Sequence, residues 1–141
     1  MRKILFVCTG NSCRSVMAEG LFKKLTAARP GEFEVASAGL TAIEGFPASA
    51  ETVRVMREER IDVSSHRGRR LTAQWIQWAD KIFVMENFHR DAIVASVPQS
   101  AGKVALLAES GIPDPIQMPE EFYKRTLKTI RENLERILKT L

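Results

Sequence analysis

The sequence predicts an α/β fold, a three-layer doubly wound domain built on a four-stranded parallel sheet. Three observations carry that expectation. Short apolar runs rich in Val, Ile and Phe alternate with longer stretches of helical period, the pattern of parallel strands joined by right-handed crossover helices. The strand candidates are apolar at nearly every position rather than every second one, as strands covered on both faces require. The chain's 141 residues, 45% hydrophobic and 27% charged, are enough to bury a core without disulfides or a structural metal, so residues 1–141 are expected to form a single domain.

Each element has its own warrant. Lys3–Cys8 (KILFVC) is a continuous apolar run, short and bounded by Gly10, and reads as a strand. From Arg14 the period changes. Val16, Met17, Leu21, Phe22 and Leu25 recur at helical spacing, and the helix is expected to continue until Pro30 and Gly31 stop it. Phe33–Ala38 reads as the second strand, and a loop punctuated by Gly39, Gly45 and Pro47 leads into a helix from about Ala48 to Arg60. Leu71–Trp78 reads as a short helix, Lys81–Met85 (KIFVM) as a third strand, Phe88–Ser96 as a helix and Lys103–Leu107 (KVALL) as the fourth strand. After a loop rich in Gly and Pro, Phe122, Leu127, Ile130, Leu134, Ile137 and Leu138 mark one face of an amphipathic helix over Glu120–Leu141.

Composition narrows the function classes. The net charge of +4 is spread along the chain, densest at His66, Arg67, Arg69 and Arg70, and no aromatic stacking motif accompanies it, so no nucleic-acid partner is expected. No apolar run approaches the roughly 20 residues of a membrane span. Ile4–Val7 is too short for a secretion signal, so no membrane partner and a cytoplasmic location are expected. A disulfide between Cys8 and Cys13 would close a tiny loop and stabilise the fold little, so both read as chemistry rather than staples.

In doubly wound sheets ligands bind beyond the carboxyl ends of the strands. The first such loop here is Cys8-Thr9-Gly10-Asn11-Ser12-Cys13-Arg14-Ser15, running from a buried strand straight into a helix N-terminus. Successive backbone N–H groups in such a turn converge on phosphate oxygens, and the helix dipole adds positive potential. The same setting favours a cysteine thiolate. Arg14 offers a planar fork for two phosphate oxygens, and Ser15 a hydrogen bond to the sulfur. An Arg six residues after a Cys is a weak signal alone, and a strand-end Cys often behaves as a small hydrophobe. The placement on the first strand, with Gly in the loop and Arg-Ser opening the helix, points to phosphate chemistry.

Val7–Glu19, VCTGNSCRSVMAE, resembles the signature of the low-molecular-weight protein tyrosine phosphatases, Cys-x5-Arg-Ser/Thr. Ser37-Ala38-Gly39, Ser65-His66, Met85-Glu86 and Asp114-Pro115 resemble further pieces of that family in order. The resemblance implies a doubly wound fold, no metal, no cofactor and a two-step reaction through a phosphocysteine. It makes Cys8 the nucleophile, Arg14 the phosphate clamp and Asp114 the general acid. Thr9, Gly10, Asn11, Ser12, Cys13 and Ser15 would form the phosphate loop, with Ser37 and His66 supporting it. Read without it, Asn11 suits a left-handed turn, Asp114 a turn between prolines and His66 a solvated basic stretch. The implied partners are phosphorylated proteins, with the chain a monomer or weak homodimer.

Arsenate reductases of the same fold share a loop close to CTGNSCRS but need further cysteines, and none follows Cys13. A zinc site lacks ligand pairs, because His66 and His89 are distant from each other and from the cysteines. A non-catalytic phosphate-binding module is disfavoured by the presence of both Cys8 and Asp114. Phosphotyrosine is the expected substrate and phosphoarginine the alternative. Ile116 and Gln117 stand where tyrosine-specific relatives carry aromatic walls, and Ser12 is small, as is the Thr of the family's arginine phosphatases.

Overall fold

The computed structural model describes all 141 residues, Met1–Leu141. In chain order it forms β1 (Arg2–Cys8), α1 (Arg14–Leu25), β2 (Phe33–Gly39), α2 (Ala50–Glu58), α3 (Ala73–Trp78), β3 (Lys81–Val84), α4 (Asn87–Ser96), β4 (Val104–Leu106) and α5 (Glu120–Leu138). The sheet is four-stranded, parallel throughout and ordered β2-β1-β3-β4. The expected fold class is therefore the observed one.

Boundaries differ in places, for local reasons. α1 stops at Leu25, ahead of Pro30, because the Thr26 hydroxyl donates to the Phe22 carbonyl at 2.7 Å and the chain tightens into turns. α2 starts later than expected because Ser49 caps it, its Oγ accepting from Thr52 N–H at 3.2 Å. Pro98–Lys103 forms a 3-10 turn that leaves β4 only three residues, shorter than the Lys103–Leu107 expected. On α5 the buried face is carried by Tyr123, Thr126, Leu127, Ile130, Leu134 and Ile137, with Phe122 only half buried at its edge.

β1 lies inside the sheet, and its alternation feeds two cores. Ile4, Phe6 and Cys8 join the larger cluster, with Val16, Met17, Leu21 and Phe22 of α1, Val55 and Met56 of α2 and the apolar face of α5. Leu5 and Val7 join the second cluster, with Ile76, Ile82, Val84 and Ile93, under α3 and α4. Covering both faces explains the unbroken apolar run in β1.

This arrangement brings the ends of β2 and β3 against the segment that follows β1. At the end of β2, a Cβ added to Gly39 would lie 2.6 Å from the Thr9 carbonyl oxygen, 2.7 Å from Asn11 N and 2.9 Å from Gly10 C. All three are backbone atoms, which cannot swing aside as a side chain does. Gly39→Ala is therefore expected to push the β1–α1 loop off its seat and destabilise the chain by about 1–3 kcal/mol. A urea or thermal midpoint within error of the parent would contradict the close approach.

Candidate active site

The segment Thr9–Cys13 is held by its carbonyl groups. Cys8 O accepts from Leu40 N–H and Thr9 O from Thr41 N–H, both at 3.0 Å, Ser12 O from Ser49 N–H at 3.1 Å, and Asn11 O from His66 Nε2 at 3.1 Å. With the carbonyls turned outward, the amides of Thr9 to Cys13 find no backbone acceptor. The N-terminus of α1 carries no side-chain cap and no acidic residue in its first turn. Free amides at an uncapped helix N-terminus form a site complementary to an anion.

Asn11 sets the shape of that loop. Its φ of 53° lies in the left-handed region, which Asn tolerates better than most residues. The side chain is fully buried. Its Nδ2 donates to Ser15 Oγ at 2.8 Å and to Ser37 Oγ at 3.0 Å, and its Oδ1 accepts from Arg69 N–H at 2.9 Å. Ser37 Oγ donates in turn to Glu19 Oε1 at 2.5 Å. At the other end, Ser15 Oγ lies 2.9 Å from Cys8 Sγ. Ser15 already accepts from Asn11, so its hydroxyl proton is free for the sulfur. A continuous chain of bonds thus runs from Glu19 to Cys8. Burial holds the His66 imidazole below its ordinary pKa, partly offset by its bond to the Asn11 carbonyl.

Arg14 is 1% exposed. Nη1 donates to the Glu86 carboxylate and to Ile112 O at 2.7 Å, while Nη2 reaches Thr9 Oγ1 at 3.4 Å and Asp114 Oδ2 at 3.5 Å. Its Nε is buried without any partner. Nε and Nη2 form one edge of the guanidinium, the edge that grips an oxyanion in two places. Asp114 sits between Pro113 and Pro115, with Oδ1 taking the Ile116 N–H at 3.1 Å.

The structure thus gathers these residues in two bonded sets joined through the β1–α1 loop, Cys8, Asn11, Ser15, Ser37 and His66 in one and Thr9, Arg14 and Asp114 in the other. Gly10 is exposed on the loop and Ser12 half buried. The backbone of Cys13 belongs to the loop, but its side chain turns away into the larger core, with Sγ 3.4 Å from Ser49 Oγ. Tyr123, beside Cys13, is pushed up to about 12, chiefly by burial. No group of three or more His, Cys, Asp or Glu gathers as a metal site.

Sequence reasoning assigned no role to Glu19, Arg69, Glu86 or His89. Glu86 is named there only within the Met85-Glu86 resemblance, at the end of β3 where the strand-end rule points. His89 had been weighed only as a zinc ligand. It is fully buried, its Nδ1 accepts from Glu86 N–H at 3.0 Å, and its Nε2 stands 2.9 Å from Thr9 Oγ1. The spacing of Glu86 and His89 is that of a helix N-cap and its third residue, a signal legible in hindsight.

Burial first, then the charge of Arg14 on α1, drive the His89 pKa down to about 4, against the opposing pull of Glu86 at the head of α4 and Asp114 after β4. The unfolded chain takes up this proton near pH 6.5 and the folded chain near 4. The contribution of neutral His89 to stability is whole above about 6.5 and is lost as pH falls to about 4. His89→Gln, which cannot titrate, is expected to flatten the decline of the thermal midpoint across that window. Parallel curves for the parent and the variant would contradict it.

Residues 3–141 match the family model described as low molecular weight phosphotyrosine protein phosphatase. The chain is 37% identical to a probable low molecular weight protein-tyrosine-phosphatase, EpsP, of Ralstonia nicotianae, over 97% of this chain and 89% of that one. It is 35% identical to a protein-arginine-phosphatase of Geobacillus stearothermophilus, over 99% and 95%. Its fold superposes on the crystal structure of a low molecular weight protein tyrosine phosphatase from T. tengcongensis with a TM-score of 0.94 at 37% identity, covering all of both chains. A match across nearly the whole length, at these identities and on this fold, leaves a plain conclusion: the chain belongs to the low molecular weight phosphotyrosine protein phosphatase family.

Proposed function

We propose that this chain hydrolyses phosphate monoesters on proteins, phosphotyrosine foremost, through a covalent phosphocysteine on Cys8. The observation that carries the reading is the set of unmet donors on the segment that follows Cys8: loop amides without backbone acceptors and a buried Arg14 Nε without a partner. A phosphoryl group supplies the oxygens both lack, and its charge falls where the helix N-terminus and the guanidinium favour it.

In the first step the Cys8 thiolate attacks phosphorus, the bond to the leaving oxygen breaks, and the Asp114 carboxyl gives that oxygen its proton. Water then attacks the phosphocysteine, Asp114 takes a proton from it, and inorganic phosphate leaves with the thiolate restored. Each group is used twice and no cofactor is needed. Ser15 stabilises the thiolate through its free proton, and Asn11, Ser37 and His66 keep the loop open. Glu86 and Ile112 hold the far nitrogen of Arg14, so that its Nε–Nη2 edge faces the phosphoryl oxygens. Substrate oxygens that occupy this edge displace Asp114 from its 3.5 Å pairing and free it for the leaving group.

The substrates are phosphorylated proteins, and the reducing cytoplasm keeps both thiols free, the state they have here. No helix is long and apolar enough to cross a membrane. A second reading, phosphoarginine, is supported by the small half-buried Ser12 and by Ile116 and Gln117 after the Asp114-Pro115 pair. Hydrolysis of phosphotyrosine and phosphoarginine peptides measured side by side tests both. We expect the phosphotyrosine peptide to turn over faster, and turnover of both to vanish in a folded Cys8→Ser variant. A tenfold or greater advantage for phosphoarginine would install the second reading, and a Cys8→Ser variant as active as the parent would end both.

The role of Asp114 has its own signature. General acid catalysis contributes about 10²- to 10⁴-fold, and the benefit shrinks as the leaving group becomes more acidic. Asp114→Asn is expected to lose that much on phosphotyrosine but far less on 2,4-dinitrophenyl phosphate. Equal losses on both esters would assign Asp114 to loop shape instead.

A further inference from the structure

Thr9 is the first residue of the loop, and its hydroxyl is bonded unusually. A threonine oxygen has two lone pairs and one proton on a rotor that takes whichever direction its neighbours allow. Arg14 Nη2, which can only donate, lies 3.4 Å from Thr9 Oγ1. His89 Nε2 lies 2.9 Å away on another side. The role of that nitrogen follows from its partner across the ring, because His89 Nδ1 accepts from the Glu86 N–H at 3.0 Å and therefore carries no proton. A neutral imidazole with Nδ1 bare has its proton on Nε2. Burial and the neighbouring Arg14 keep the ring neutral down to a pH of about 4.

Both lone pairs of Thr9 Oγ1 thus face donors, and its own proton must point elsewhere. We propose that His89 is a positioning residue for the phosphate loop: by donating from Nε2 to Thr9 Oγ1, it turns the Thr9 hydroxyl into a preset proton donor beside the free edge of Arg14, aimed at a phosphoryl oxygen. The inference rests on the phosphate-loop reading above and extends the donor array by one side-chain hydroxyl. It also gives the buried ring a use beyond packing. His89 joins the backbone of Glu86, whose carboxylate holds Arg14 Nη1, to the hydroxyl beside Arg14 Nη2, and so it supports both sides of the guanidinium.

Two substitutions separate the two ring nitrogens. The amide oxygen of His89→Asn stands near the place of Nδ1 and keeps an acceptor for Glu86 N–H, but the side chain is too short to reach Thr9. The longer His89→Gln brings an amide N–H to the place of Nε2. With p-nitrophenyl phosphate as substrate and inorganic phosphate as competitive inhibitor, His89→Asn is expected to lower kcat/KM and weaken phosphate inhibition about tenfold, the scale of one hydrogen bond to a charged group. His89→Gln should recover most of that loss. Thr9→Val should lose as much as His89→Asn, and the double variant no more than either alone, because both remove the same aimed proton. Multiplying losses in the double variant, or His89→Asn within about twofold of the parent, would overturn the proposal. If His89→Asn does not fold, Thr9→Val against Thr9→Ser decides, since only serine keeps the hydroxyl, and equal phosphate inhibition in the two would overturn it. A parent chain that neither turns over the ester nor binds phosphate would instead bring down the underlying phosphatase reading, and this inference with it.

Discussion

Everything at this site depends on keeping a row of backbone amides, Thr9 to Cys13, with nothing in the protein to bond them. Peptide groups left to themselves pair with one another, so such a loop is unstable unless its carbonyls are bonded from outside. Here the donors come from the turn after β2, from His66 and from the head of α2. Asn11 completes the arrangement from within, with every polar atom of its buried amide engaged and its backbone in a region that costs most residues energy. The glycine at the end of β2 is part of the same constraint, because only a residue without Cβ lets β2 approach the loop backbone so closely.

The charge of Arg14 poses the matching problem. Burying a guanidinium costs several kcal/mol unless its donors are met. The protein meets one side, through Glu86 and Ile112 O, and leaves Nε open. A native structure rarely keeps a buried donor unpaired without reason, and functional sites are where such local rules are broken. The unpaired amides and the unpaired Nε belong to one short stretch of chain, Thr9 to Arg14, and the proposed function rests on one oxyanion meeting both. Complementarity to a bound group is in this sense stored as unsatisfied hydrogen-bonding capacity, held in place by bonds that are satisfied.

Sheet order explains how these parts meet. With β1 between β2 and β3, the loop after β1 is flanked on one side by Ser37, Gly39 and the Arg69 backbone, and on the other by Glu86 and His89. Asp114, in the loop after β4, pairs with Arg14 from beyond. One flank bonds the loop through Asn11, and the other meets Thr9 and Arg14. The two flanks share no direct bond and act through the loop between them.

The sequence by itself determined the α/β class, the strands and the loop from Cys8 to Ser15, because these follow from the period of apolar residues and from local turn chemistry, which neighbouring residues settle among themselves. It also marked Arg14 and Asp114 through a family pattern, although spacing alone could not have joined two residues a hundred positions apart. Element ends were less legible where a single side chain intervenes, as Thr26 does in ending α1 and Ser49 in starting α2. Only the tertiary structure decided that the Cys13 sulfur meets Ser49 while that of Cys8 joins the bonded chain through Ser15, that Glu86 and not solvent meets Arg14, and that His89 reaches across to Thr9. The physical reason is that a buried polar group must find its partner in space, and the sheet's order of strands, not the chain's order of residues, sets which partners are within reach.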